Sequence, residues 1–169
     1  MVARRRFCLV LVKPSHYDDN GYVIQWMRSP IPSNSLASLY GIAKDCADRS
    51  LLGSQVEFEI HAFDETNTRI QPARIAAMID AAGSGMVMLV GVQSNQFPRA
   101  LDLARPLRER GILVGIGGFH VSGVLSTATV VTRPSTIRKT EIGQVAPPLH
   151  PEIAAAISGV RPPPIAPPI

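Results

Sequence analysis

The side chains best able to do chemistry in this 169-residue chain fall in three short stretches, each following an apolar run. Lys13-Pro14-Ser15 follows FCLVLV, Gly91 and then Gln93-Ser94-Asn95-Gln96 follow MVMLV, and Gly117-Gly118-Phe119-His120, with Ser122 beyond, follows ILVGI. Amides and hydroxyls in such loops offer hydrogen bonds, an imidazole adds a polar ring, and glycine lets a backbone come close to a large ligand. Ligands of open α/β sheets lie outside the carboxyl ends of the strands. If the three apolar runs are parallel strands, their loops are the site.

Other chemistries fit less well. Gly115-Ile116-Gly117-Gly118 lacks the full spacing of a dinucleotide fingerprint and the helix that should follow it, and no Walker lysine pattern occurs. A phosphoacceptor site would need acidic residues where the strands end in Lys13-Pro14-Ser15 and Gln93-Ser94-Asn95. Ser94 and Ser122 near His120 suggest a nucleophile and base, but no carboxylate is fixed as the orienting partner. His61 and His150 have no metal-ligand spacing to a partner, and Cys8 and Cys46 read as small buried residues. Two cysteines cannot hold an iron–sulfur cluster.

The elements that would position these loops alternate. Residues 7–12 read as a buried strand, and Ser33-Asn34-Ser35 offers caps for a helix to about Asp48 with Leu36, Leu39, Ile42, Ala43 and Cys46 on one buried face. Residues 56–62 (VEFEIHA) alternate apolar and polar, as a half-exposed edge strand does. Pro72 opens a helix with Ile75, Met78, Ile79 and Ala82 inward, and Gly83 ends it. Residues 86–92 and 112–116 are continuous apolar runs, as in strands covered on both faces. Between them Pro98 opens a helix with Ala100, Leu103, Ala104 and Leu107 inward, and Pro106 predicts a kink or a late start. The β-α-β-α-β-α-β order predicts a flavodoxin-like, doubly wound parallel sheet with the first strand central. Residues 128–132 suggest a fifth strand with no convincing helix before it. The chain divides into an α/β domain over residues 1–132 and a Pro-rich tail over 133–169, read as polyproline or disorder, with a short helix at 151–158.

The composition suits a globular domain of one core: 46% hydrophobic, 18% charged, net charge +4. The basic groups Arg4-Arg5-Arg6, Arg133, Arg138 and Lys139 lack the aromatic platform or recognition helix of a nucleic-acid binder. The basic start, Met1 to Arg6, precedes a run too short for a signal peptide, so a cytoplasmic location is expected, with no membrane partner.

Residues 29–123 resemble the cobalamin-binding domain at the N-terminus of cobalamin-dependent radical S-adenosylmethionine proteins. The resemblance rests on Lys13-Pro14 after the first strand, Pro30-Ile31-Pro32 leading into the helix that starts Ser35-Leu36-Ala37-Ser38-Leu39-Tyr40, and Gly117-Gly118-Phe119-His120. It implies a corrin across the strand ends, held by Lys13, Pro14, Ser15, Gly91, Gln93, Ser94, Asn95, Gln96, Gly117, Gly118, Phe119, His120 and Ser122. Related cobalamin domains carry Asp-x-His-x-x-Gly after the first strand. Here Pro14 stands at the aspartate position and Gly21 comes too late, so His16 is not expected to ligate cobalt. With no three-cysteine motif and no resemblance beyond Ser126, the implied role is a cobalamin-binding module, a fragment or split part of a radical enzyme and not catalytic by itself. Its partner would be a separate radical S-adenosylmethionine domain. Two alternatives stay open: an enzyme or regulator taking a small nucleotide in the same fold, and a non-binding remnant.

Overall fold

The structure, a computed structural model, describes residues 5–27 and 31–131, with side chains through 126. Its elements run β1 (Arg5–Lys13), α1 (Asn34–Asp48), β2 (Val56–Asp64), α2 (Pro72–Ala82), β3 (Gly85–Leu89), α3 (Phe97–Glu109), β4 (Leu113–Ile116) and α4 (Phe119–Val131). The strands form one parallel sheet in the order β2-β1-β3-β4. This is the expected flavodoxin-like arrangement, with β1 inside the sheet and β2 at an edge.

Alternation along β1 divides the core. Cys8, Val10 and Val12 point to one face, where with Val87 and Leu89 of β3 they meet Ile75, Ala76 and Ile79 of α2 and Ala100, Leu103 and Leu107 of α3. Leu9 and Leu11 point to the other, where with Val90 they meet Ala43 of α1 and half-buried Leu36, Phe58, Ile60, Met86 and Met88. Side chains two residues apart share a face, so a fully buried strand must be apolar on both.

The helix ends follow local chemistry. The Ser33 hydroxyl accepts from the Leu36 amide at 3.3 Å, a serine N-cap. Pro72 and Pro98 open α2 and α3, where a missing amide costs nothing, and Gly83 ends α2 at φ 80°. Pro106 lies inside α3, which nevertheless starts at Phe97 and runs to Glu109. The late start is not seen: Pro106 stands in the last turn, with nine helical residues before it.

Three expectations need correcting. Residues 128–131 are not strand but the end of α4, and His120 is in the first turn of that helix, not in a loop. Propensity differences of roughly 0.7 kcal/mol per residue or less do not stop a helix that has nucleated upstream. Second, the α1 stripe is not one buried face: Ala43 is buried and Leu36 and Cys46 partly so, while Leu39 and Ile42 are exposed. At 3.6 residues per turn, Leu39 and Ile42 lie about 60° and 120° round the helix from Leu36. Third, the middle apolar run pairs only as far as Leu89, and Val90 to Val92 form the start of the loop. The proline-rich tail, the short helix at 151–158 and the boundary at 132/133 lie outside the described residues.

Candidate functional site

The carboxyl ends of β1, β3 and β4 are joined into one crest by hydrogen bonds between their loops. The Val92 amide donates to the Gly117 carbonyl at 3.0 Å, the His120 amide to the Val92 carbonyl at 3.2 Å, and the Gly117 amide to the Leu89 carbonyl at 2.9 Å. Gln96 closes the other side: its Nε2 donates to the Pro14 carbonyl at 2.9 Å, and its Oε1 accepts from the Gln93 amide at 3.0 Å. The three loops singled out by sequence are therefore neighbours.

They do not all face outward. Ser15 is fully buried, with its hydroxyl donating to the Ile24 carbonyl and its amide to Glu65. Lys13 pairs with Asp64 at 3.3 Å, Pro14 is buried, and Gln96 is spent on the loops themselves. Gly91, at φ 64°, packs its backbone against Ser35 at the start of α1. Gly118 has φ 143°, and a Cβ there would run into the Val92 backbone. The missing side chain there lets the two loops pack closely. Gly117 does leave room, with nothing within 4 Å of where its Cβ would stand.

The outward set is smaller: Gln93, Ser94, Asn95, Gly117, Phe119, His120 and Ser122. His120 Nδ1 is 3.1 Å from the Ser94 hydroxyl, and its ring lies against Phe97 with centroids 4.3 Å apart. Phe119, 79% exposed, adds an apolar surface beside this polar pair. Among the described residues no carboxylate is hydrogen-bonded to His120, so the serine and histidine lack the third member of a triad.

Beneath the crest is a network that sequence reading missed. Glu65, only 1% exposed, accepts from the Ser15 amide at 3.0 Å and from Arg99 Nε and Nη2 at 3.1 and 2.6 Å. Arg99 also lies over the Tyr17 ring at 5.8 Å, and the Tyr17 hydroxyl donates to Asp102 at 2.6 Å. These bonds tie the ends of β1 and β2 to α3, and every buried side-chain polar atom among the described residues has a partner. In the sequence Glu65 stands in a polar loop beside Asp64 and Thr66, with nothing to mark it as buried.

A cavity of about 580 Å³ lies elsewhere, between α1 and the edge strand β2. Leu36, Tyr40, His61, Phe63, Asp64 and Asn67 are among its walls, and the Lys13–Asp64 pair connects it with the crest. No helix among the described residues is long and apolar enough to cross a membrane.

The sheet order and the strand-end crest define the class, a flavodoxin-like α/β domain with a polar site at the carboxyl ends of its strands. No family model, curated protein or solved structure matches the chain.

Proposed function

We propose that this chain is a cobalamin-binding module that acts with a separate radical S-adenosylmethionine domain and does not catalyse by itself. The observation that carries the reading is the crest: three strand-end loops, hydrogen-bonded to one another, present Ser94, Asn95, His120 and exposed Phe119 together. A large ligand with an apolar ring edge and polar substituents suits that mixture. The residues fit in part: Gly117 offers open backbone, whereas Lys13, Ser15 and Gln96 are held by protein partners and position the loops. Cobalamin would supply the cobalt chemistry, while this chain's residues bind and orient it.

The test is a cobalamin titration of the full chain, read by absorption. Saturable binding is expected, weakened several-fold by His120→Ala, since a neutral hydrogen bond contributes about 0.5–1.5 kcal/mol. His16→Ala should leave the bound spectrum unchanged. A folded protein that takes up no cobalamin contradicts the proposal.

The cavity beside α1 favours a second reading, a small nucleotide held between Tyr40 and Phe63 with Asn67 and Ser33 as polar contacts. That reading gives a thermal shift with nucleotide and none with cobalamin.

A further inference from the structure

Away from the crest, in the middle of the β1–β2 pair, three side chains of metal-ligating type converge. Parallel register sets Cys8 beside Glu59, and His61 follows Glu59 by two residues on the same face. One ligand atom from each of Cys8, Glu59 and His61 lies within 4.8 Å of the other two. His61 Nε2 is 2.8 Å from Glu59 Oε1. The Arg6 guanidinium holds the other carboxylate oxygen at 2.7 Å, which turns Oε1 toward the cluster. The His61 ring stacks on Phe63, centroids 6.3 Å apart and planes within 3°, so its orientation is fixed from the side. Cys8 forms the floor and is fully buried, while the Glu59 and His61 side chains are about one-third exposed.

We propose that Cys8, Glu59 and His61 bind a divalent transition-metal ion of the zinc class. A thiolate, an imidazole and a carboxylate are the donors that Zn²⁺ takes, and three protein ligands with a fourth position open to water is its usual form outside purely structural sites. Bond lengths of about 2.0–2.3 Å place tetrahedral ligands about 3.3–3.8 Å apart, so the Glu59–His61 pair, at 2.8 Å, must open by about 0.5 Å and both must close on the Cys8 sulfur, within 4.8 Å of them, by about 1 Å. The exposed Glu59 and His61 side chains can move that far while the strands stay still. Binding displaces the thiol proton to solvent, and the two ligand charges balance the ion. The buried floor and partly open upper side give the ion an entry path. This inference goes beyond cobalamin binding and stands without it, because the cluster is mid-strand and shares no residue with the crest.

The experiment uses the reduced, metal-free full chain titrated with Co²⁺, then with Zn²⁺. The expected result is a thiolate-to-cobalt band in the near ultraviolet with visible bands of tetrahedral intensity, both removed by Zn²⁺. Cys8→Ser should abolish the near-ultraviolet band, and Cys46→Ser should keep it. Cys8 is a core residue, so Glu59→Gln and His61→Ala on the edge strand carry the test if Cys8→Ser does not fold. Each should weaken Co²⁺ binding more than about tenfold, the scale at which even outer partners of a metal act, with an unchanged far-ultraviolet circular dichroism spectrum. A folded wild-type chain with no thiolate band overturns the proposal. So does binding that survives both edge-strand substitutions, or a band lost in Cys46→Ser and kept in Cys8→Ser.

Discussion

On the face of the sheet covered by α2 and α3, Val10, Val12, Val87 and Leu89 meet Ala100, Leu103 and Leu107, and all are buried. On the face covered by α1, Phe7, Met86 and Met88 stay half-buried while Leu39, Tyr40 and Ile42 of the helix face water. On the first face α2 and α3 also pack on each other, and on the second α1 rests on β1 and β2. Apolar pattern alone does not bury a residue; it also needs a neighbour in the right direction. The well-covered side anchors the crest through Glu65 and Arg99 of α3, and the thinly covered side leaves the cavity beside β2.

Substitutions can break this contrast. The largest effect is expected for Glu65→Ala, which leaves the Arg99 guanidinium without its buried partner. Loss of one member of such a pair costs about 3–5 kcal/mol, and the lower end applies because Arg99 keeps some contact with solvent. Denaturant unfolding measures it, and a loss below about 1 kcal/mol would show that the network does not hold the loops. Next is a matched pair on the two faces. Leu103→Ala, at a residue 1% exposed, should cost about 2–5 kcal/mol. Leu39→Ala, at a residue 39% exposed, should stay within about 0.5 kcal/mol. Equal losses would mean that the α1 face is packed as tightly as the other.

Smaller effects sharpen the account of the crest. Gly118→Ala meets both an unfavourable φ and the Val92 backbone, so it should lose more than about 1 kcal/mol, whereas Gly117→Ala should fold normally. If both are tolerated equally, the two loops are not packed as described. The smallest effect concerns alkaline pH. Burial, and then the hydrogen bond to Asp102, push the Tyr17 hydroxyl above its ordinary value of 10.0. The folded state favours neutral Tyr17, so this contribution is full below that value and is lost as pH rises through the folded-state pKa. Tyr17→Phe should flatten the alkaline fall in stability, and an unchanged slope would remove Tyr17 from the network.

The strands, their parallel order and the first three helices were legible because each carries a local signal: continuous apolar runs, a serine cap, Pro72, Pro98 and Gly83. The joining of the Lys13, Gln93 and Gly117 loops followed from topology, since parallel strands present their ends together. What could not be read depends on partners distant in sequence. Glu65 finds Arg99 34 residues away, and Cys8 meets Glu59 only through the register of β1 on β2. Spacing along the chain gave His61 no ligand partner, although Glu59 two residues before it and Cys8 across the strands complete the proposed set. Gly118, a glycine at a strand end, signals close approach without saying that the Val92 backbone is one thing it approaches. The α4 segment read as strand because its last residues are β-branched, a preference too weak to end a helix begun ten residues earlier.

The central claim is that the crest binds the ligand, and amide hydrogen exchange of the full chain with and without cobalamin tests it most directly. The account predicts added protection over residues 93–96 and 117–122, where Ser94 and His120 meet. Protection confined to residues 36–40 and 60–67, around the cavity of α1 and β2, or no change at saturating cobalamin, would contradict it.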